Sequence, residues 1–539
     1  MLQRIFNTQA SKSVASAAFV IGAMSMVSRA LGLLRDRVLA GEFGAGPELD
    51  AYYAAFRIPD FLYNLLIVGA LSAGFIPVFT AVFNRDRNSG HDEAWRMVSN
   101  VLNTVMIASF AAATLMFVWS KPLTRLLAPG FSPEQLEQTA ALTKIMLLSP
   151  ILLGASAVIG GVLQSLKRFL IFSLSPILYN VGIITGALFF TPTWGVQGLA
   201  FGVVLGAALH LFVQLPTMLY LGYRYRWVSN PWDENVRQII RLMGPRTLSL
   251  AISQINLLVV TIMASTLSVG SLTVFNLANN LQSFPLGLFG ISFAIAAFPT
   301  LAEYARDRLR FIASLSQAFR QILYLIIPSS ALLIVLRAQI VRVLLGSGRF
   351  DWEDTVLTID TLAIFSISLF AQALIPLLVR AYYARLDTMT PFLTALGSAL
   401  LNVILAIVLL RPLGIVGLAL STSIASLMQL AVLWILLRIA LGSFDDRAIL
   451  LTTIRISFAS LLMVLVAQVC KYVTAPLTGT QTFIGVAIQG GTAAVAGLAT
   501  YLIVTLVLRS PEAIDLVEAF RRRKRHVVVT EVVGDGPTS

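Results

Sequence analysis

The chain has 539 residues, 57% of them hydrophobic and only 12% charged, with a formal net charge of +13. No soluble domain hides that much apolar surface, and the apolar runs are continuous rather than alternating, which excludes a β-barrel. The composition describes an all-α polytopic membrane protein.

After a cytoplasmic N-terminus at 1–13, polar breaks divide the apolar sequence into about fourteen expected transmembrane helices. They run 14–38, 50–83, 97–119, 139–164, 171–191, 195–221, 246–268, 271–301, 315–336, 355–379, 391–410, 414–437, 450–473 and 482–508. The first six form an N-lobe at 14–222, and a cytoplasmic linker follows at 223–245. Six more form a C-lobe at 246–440, two extra helices occupy 441–508, and a basic cytoplasmic tail closes the chain at 509–539. The first apolar run is too long for a signal peptide. The runs at 50–83 and 271–301 must tilt or bend, with Pro59, Pro77, Pro285 and Pro299 as bend sites.

Gly195-Val196-Gln197-Gly198-Leu199-Ala200 opens the sixth span, and Gly414-Ile415-Val416-Gly417-Leu418-Ala419 opens the twelfth. Six spans separate the copies, so the two lobes are expected to be parallel repeats with the same orientation. With both termini in the cytoplasm, most of the 39 lysines and arginines fall on the cytoplasmic side, as the positive-inside rule demands. The tail Arg521–Arg525 then lies against anionic membrane lipid rather than nucleic acid. A monomer in the cytoplasmic membrane is expected.

Charges interrupt the first two spans, where insertion costs roughly 2.5–3.5 kcal/mol each. At about 100° per residue, Ser28, Arg29, Gly32, Arg35 and Asp36 share one helix face. Asp50, Arg57 and Asn64 recur every seven residues and share another. Two polar stripes are hidden most simply by turning both towards a common cavity. The alternative is internal pairing, of Asp36 with an arginine and of Asp50 or Asp60 with Arg57. From the seventh span come Ser253, Gln254 and Asn256, and from the eighth Asn276, Asn279 and Asn280. Such amides either line a cavity or join helices to one another. His210 reads as a packed histidine. The single cysteine, Cys470, excludes a disulfide framework, and His91, His210 and His526 lack metal-ligand spacing. No nucleotide loop and no nucleophile with a base is visible. No catalytic residue, metal or cofactor is expected, and the membrane potential or a coupling ion would supply energy.

Several motifs recur in an order that is specific taken together. They are Ser28-Arg29 with Gly32 and Arg35-Asp36, Phe43-Gly44-Ala45-Gly46, Asp50-Ala51, Phe56-Arg57-Ile58-Pro59 and Gly69-Ala70-Leu71. Ala128-Pro129-Gly130-Phe131, Gln214-Leu215-Pro216, Met243-Gly244-Pro245, Phe284-Pro285, Gly348-Arg349-Phe350 and Tyr383 to Pro391 follow. Over nearly its whole length the chain resembles the MurJ (MviN) family, lipid II flippases of the multidrug/oligosaccharidyl-lipid/polysaccharide (MOP) exporter superfamily. The resemblance implies two lobes rocking about a cationic cavity and a lipid-tail groove on the last two helices. It implies transport of lipid II, an undecaprenyl-diphosphate-linked disaccharide-pentapeptide, from inner to outer leaflet for peptidoglycan synthesis. The resemblance carries over Ser28, Arg29, Arg35, Asp36 and Asp50. The chain departs at Tyr63 and Asn64, where the family has a basic pair. It has Val68 for an acid, Asp60 for an asparagine, and Asn280 for an arginine. The competing readings are an ion-coupled exporter of a small molecule or of another lipid-linked oligosaccharide, and a scaffold that has lost transport.

Overall fold

The computed structural model describes residues 14–68, 74–85, 91–442, 444–479, 482–515 and 518. The N-terminal segment 1–13, the Gly69-Ala70-Leu71 motif and the basic run Arg521–Arg525 lie outside the described residues. Among the described residues every regular element is a helix. Nine helices are long and apolar enough to cross a membrane, or ten when the bent pair Trp352–Ile367 and Leu369–Ala384 counts as one span. Each expected run coincides with helix over its described residues. One cause of the lower number is Met389–Leu441, which holds two expected runs joined through Gly414.

The chain divides into two compact units. One comprises Met1–Asn280, Leu344–Thr361 and Ala395–Thr422, the other Leu281–Val343, Leu362–Thr394 and Ser423–Ser539. In the first unit, α1 (Val14–Phe43) is followed by α2 (Pro47–Tyr63). α1 packs along α3 (Phe169–Thr185), and α3 in turn packs on α4 (Gln197–Phe212). Glycines four residues apart set the second contact. A β-carbon on Gly182 would stand 2.3 Å from Gly206 Cα, and one on Gly186 2.4 Å from Gly202 Cα. Backbones meet directly there, as small-residue seams allow in membranes. α3 is thereby held with Asn180 facing α1. α5 (Glu234–Ser265) and α6 (Ser271–Pro285) complete the surroundings of the cavity described below.

In the second unit, α7 (Arg308–Val335) packs on α8 (Asp446–Thr478), and α8 on α9 (Phe483–Val507). Its core includes Phe311, Phe319, Leu377 and Phe444. Arg320 pairs with Glu512 at 2.8 Å near one end of α7, and Tyr501 donates to Tyr324 O at 2.6 Å farther along.

The sequence repeat has a structural counterpart. Gly195 adopts φ 57°, ψ −146°, and Gly414 adopts φ 56°, ψ −132°, a region that favours glycine. A β-carbon on Gly198 would stand 2.5 Å from Phe190 C, and one on Gly417 2.3 Å from Leu409 O. Both helices of the repeat therefore start with the same turn and the same close approach.

Candidate substrate cavity

The cavity is built from the turn that joins α1 to α2. Gly44 takes φ 63° and donates to Ala40 O at 2.8 Å, ending α1. Pro47 opens α2 where no N–H donor is needed. Asp354 Oδ2 accepts the Ala45 N–H at 2.8 Å, and Arg349 N donates to Gly41 O at 2.8 Å. The Phe43–Gly46 and Gly348–Phe350 motifs thus fix each other.

Asp50 is 2% exposed. It accepts from Gly270 N at 2.7 Å, Thr273 N at 2.8 Å and Thr273 Oγ1 at 2.7 Å. These donors crowd the first turn of α6, where the helix dipole favours a negative charge. Asp50 therefore anchors α6 to α2.

A cavity of about 170 Å³ opens among α1, α2 and α6. Arg35 and Leu39 line it from α1; Tyr52, Tyr53, Phe56, Arg57 and Asp60 from α2; Asn276 and Asn280 from α6. Arg35 donates to Asp36 Oδ1 through Nε at 3.0 Å and Nη2 at 2.8 Å, and to Asn180 Oδ1 through Nη1 at 3.2 Å. The other Asp36 oxygen accepts from Asn280 Nδ2 at 2.9 Å. Arg57 meets only neutral acceptors: Nε donates to Thr261 Oγ1 at 3.1 Å and Nη2 to Asn276 Oδ1. Among the described residues its Nη1 has no hydrogen-bond partner. The buried Tyr53 hydroxyl also has none. The Asp60 carboxylate lines the same space and makes no hydrogen bond or ion pair among the described residues. The formal charge of the lining is positive, with two guanidinium groups against one carboxylate.

The expected residues distribute as follows. Arg35, Arg57 and Asn280 line the cavity, and Asp36 stands directly behind Arg35. Ser28 touches the network through its carbonyl, which accepts from Asn180 Nδ2 at 3.4 Å. Arg29, Asp50, Asn64 and Gln254 do not line it. Asn64 begins a π-helical turn, Asn64–Val68, and its amide bonds back to Asp60 O at 2.9 Å. Internal pairing holds for Asp36, whereas Arg57 is met by a hydroxyl and an amide. Tyr52, Tyr53 and Asn180 were not among the expected site residues. Extending the α2 stripe by four and three residues, through Tyr53, Arg57 and Asp60, finds the first of these faces.

The overall arrangement is known from solved structures. One titled lipid II flippase MurJ, inward closed conformation, superposes with a TM-score of 0.75 at 26% identity, over 93% of this chain and 100% of that one. An inward-facing multidrug resistance MATE family transporter of the MOP superfamily superposes with a TM-score of 0.64 at 15% identity, over 79% of this chain and 99% of that one. Fold and cavity together are those of a membrane transporter of MOP architecture. In sequence, the "Probable lipid II flippase MurJ" of Vibrio cholerae is 31% identical, over 78% of this chain and 82% of its own. The lipid II flippase MurJ of Burkholderia cenocepacia is 28% identical, over 76% and 81%. The family described as lipid II flippase MurJ matches residues 39–486, and the chain belongs to that family. It is a multi-pass protein of the inner membrane and a transporter, not an enzyme.

Proposed function

We propose that the chain carries lipid II from the inner to the outer leaflet by alternating access, supplying peptidoglycan synthesis. The observation that carries this reading is Arg57, a guanidinium held over a cavity by neutral groups and with donor capacity to spare. Arg35 and the Tyr53 hydroxyl add further donors. Planar guanidinium groups suit phosphate oxygens, with which they form short, charge-assisted bonds. The cavity is smaller than the roughly 300–1,000 Å³ of a site enclosing a drug-sized ligand. It therefore suits the diphosphate, with the sugars and peptide extending beyond it. Cells depleted of their own lipid II flippase test this directly. Growth restored by the chain supports the reading, and no growth despite normal membrane levels counts against it.

The proposal includes both termini in the cytoplasm, on the strength of the lysine and arginine distribution. It also includes a driving force. Moving one charge through the membrane potential is worth about 2.3 kcal/mol per 100 mV. A cavity of net positive charge is drawn inward when empty and is neutralised when a diphosphate enters. Flux should fall when the potential is collapsed. Unchanged flux in de-energised vesicles would indicate another energy source.

A further inference from the structure

We propose that the second unit binds the phosphate of an anionic phospholipid where α7 ends against α8 and α9. The last carbonyls of α7 gather two cations. Arg337 Nη1 donates to Ile334 O at 3.2 Å. Lys471 Nζ, from α8, donates to Val335 O at 2.8 Å and to Gln468 Oε1 at 3.1 Å. Among the described residues, Nε and Nη2 of Arg337 and the third N–H of Lys471 have no partner. Both side chains are half-buried. Gln489 Nε2 donates to Lys471 O at 3.0 Å, and Gln339 Nε2 to Gln489 Oε1 at 3.1 Å, which ties α9 to the same place.

A cation at a helix C-terminus is ordinary. Two on adjacent carbonyls repel each other, and nothing acidic offsets them here. The segments that form this end, 335–343 and 466–490, contain Arg337, Arg342 and Lys471 and no Asp or Glu. Arg320 and Glu512 pair much nearer the start of α7, roughly 20 Å along it from Val335. An anion from outside the protein would bridge the two cations with the donors they have left. The neighbouring surface says which kind. Leu336, Ala467 and Ala493 are buried between the helices, while Val469, Tyr472 and Val473 are exposed beside Lys471. Charged donors above exposed apolar side chains match a phosphate with acyl chains below it, and basic pockets between membrane helices bind such head groups.

The test uses the purified full-length protein in neutral detergent. Thermal unfolding is followed with added phosphatidylglycerol, with phosphatidylcholine, and with inorganic phosphate. Phosphatidylglycerol should raise the unfolding temperature of the wild type more than either control. In the Arg337→Gln/Lys471→Gln variant its apparent affinity should fall by roughly fivefold for each charge removed. Equal responses of wild type and variant, or no preference for phosphatidylglycerol in the wild type, overturn the site. Stabilisation by inorganic phosphate as strong as by the lipid overturns the assignment to lipid. If the double variant does not fold, Arg337→Gln alone serves, because it leaves the Lys471 bonds to Val335 and Gln468 in place.

Discussion

Asn280 donates to the one Asp36 oxygen that Arg35 leaves unbonded, at 2.9 Å. Asp36 is thus an internal anion that occupies Arg35 through two of its nitrogens. A substrate phosphate must share or displace it. Arg57 has no such competitor, so the two arginines of the cavity are not equivalent.

Arg57→Ala should be the more damaging substitution. A hydrogen bond to a charged group contributes about 1.5–3 kcal/mol, which is roughly ten- to a hundredfold in binding. Lipid II binding should fall by about that factor and growth support should be lost, with membrane levels unchanged on an immunoblot. Arg57→Lys should fall between, since it keeps the charge without the planar fork. Arg35→Ala should also impair transport. Arg29→Ala, outside the lining, should support near-normal growth. An Arg57→Ala strain growing like wild type would remove Arg57 from the mechanism.

The Asp36–Asn280 contact can be exchanged. Asn280→Asp alone places a second carboxylate against Asp36 and should weaken lipid II binding. Combining it with Asp36→Asn restores one acid and one amide and should recover much of the loss. A double-mutant cycle on purified protein should give a coupling of about 0.5–3 kcal/mol. Zero coupling would mean the contact is incidental. Asn280→Arg should tighten binding, because a second guanidinium on Asp36 releases Arg35 to the diphosphate.

Asp50→Ala should act on stability and not on recognition. It leaves the buried N–H groups of Gly270 and Thr273 without an acceptor, at about 1–3 kcal/mol each. A lower unfolding temperature in detergent is expected, with nearly unchanged lipid II affinity for the folded fraction. Asp50→Asn, which keeps one carbonyl acceptor, should lie between. A normal unfolding temperature combined with lost binding would return Asp50 to the substrate.

Asp387 gives a dependence on pH. Burial opposes its ionised form. The Thr390 N–H at 3.0 Å, the Thr390 hydroxyl at 2.7 Å, a Met389 N–H and the Arg385 charge outweigh that and hold the carboxyl below its ordinary value. Its contribution to stability is therefore complete above the ordinary carboxylate range and is lost as pH falls through the depressed value. Wild type and Asp387→Asn should differ in unfolding temperature at neutral pH and converge in acid. A difference that persists unchanged in strong acid would rule this out.

The helices were legible because runs of apolar residues about twenty long have few alternatives. Arg35 and Asp36 were legible because charge inside such a run needs a reason. Helical periodicity supplied faces but not depth. Arg29 shares the face of Arg35 but lies six residues away, roughly 9 Å along the axis, and it misses the cavity. Gln254 stands one heptad from Thr261, which does hold Arg57, and is displaced in the same way. Asn64 failed for another cause. The π-helical turn that begins there changes the residues per turn and rotates the stripe off its face. Tyr52 and Tyr53 resemble ordinary packed aromatics in sequence. Asn180 comes from a helix far along the chain, so no local pattern pointed to it.

The matched turns at Gly195 and Gly414 bear on ancestry. A half-length ancestor that paired with a copy of itself would have presented identical side chains from both copies. The present chain no longer does. Its first two spans carry Arg35, Asp36, Arg57 and Asp60, while the corresponding seventh and eighth carry Gln254, Asn256, Asn276 and Asn280. One copy has kept ionised groups and the other offers amides, so the halves have diverged in chemistry while their turns have not. Exchanging the two pairs of spans would therefore preserve the outline of the molecule and relocate its charge.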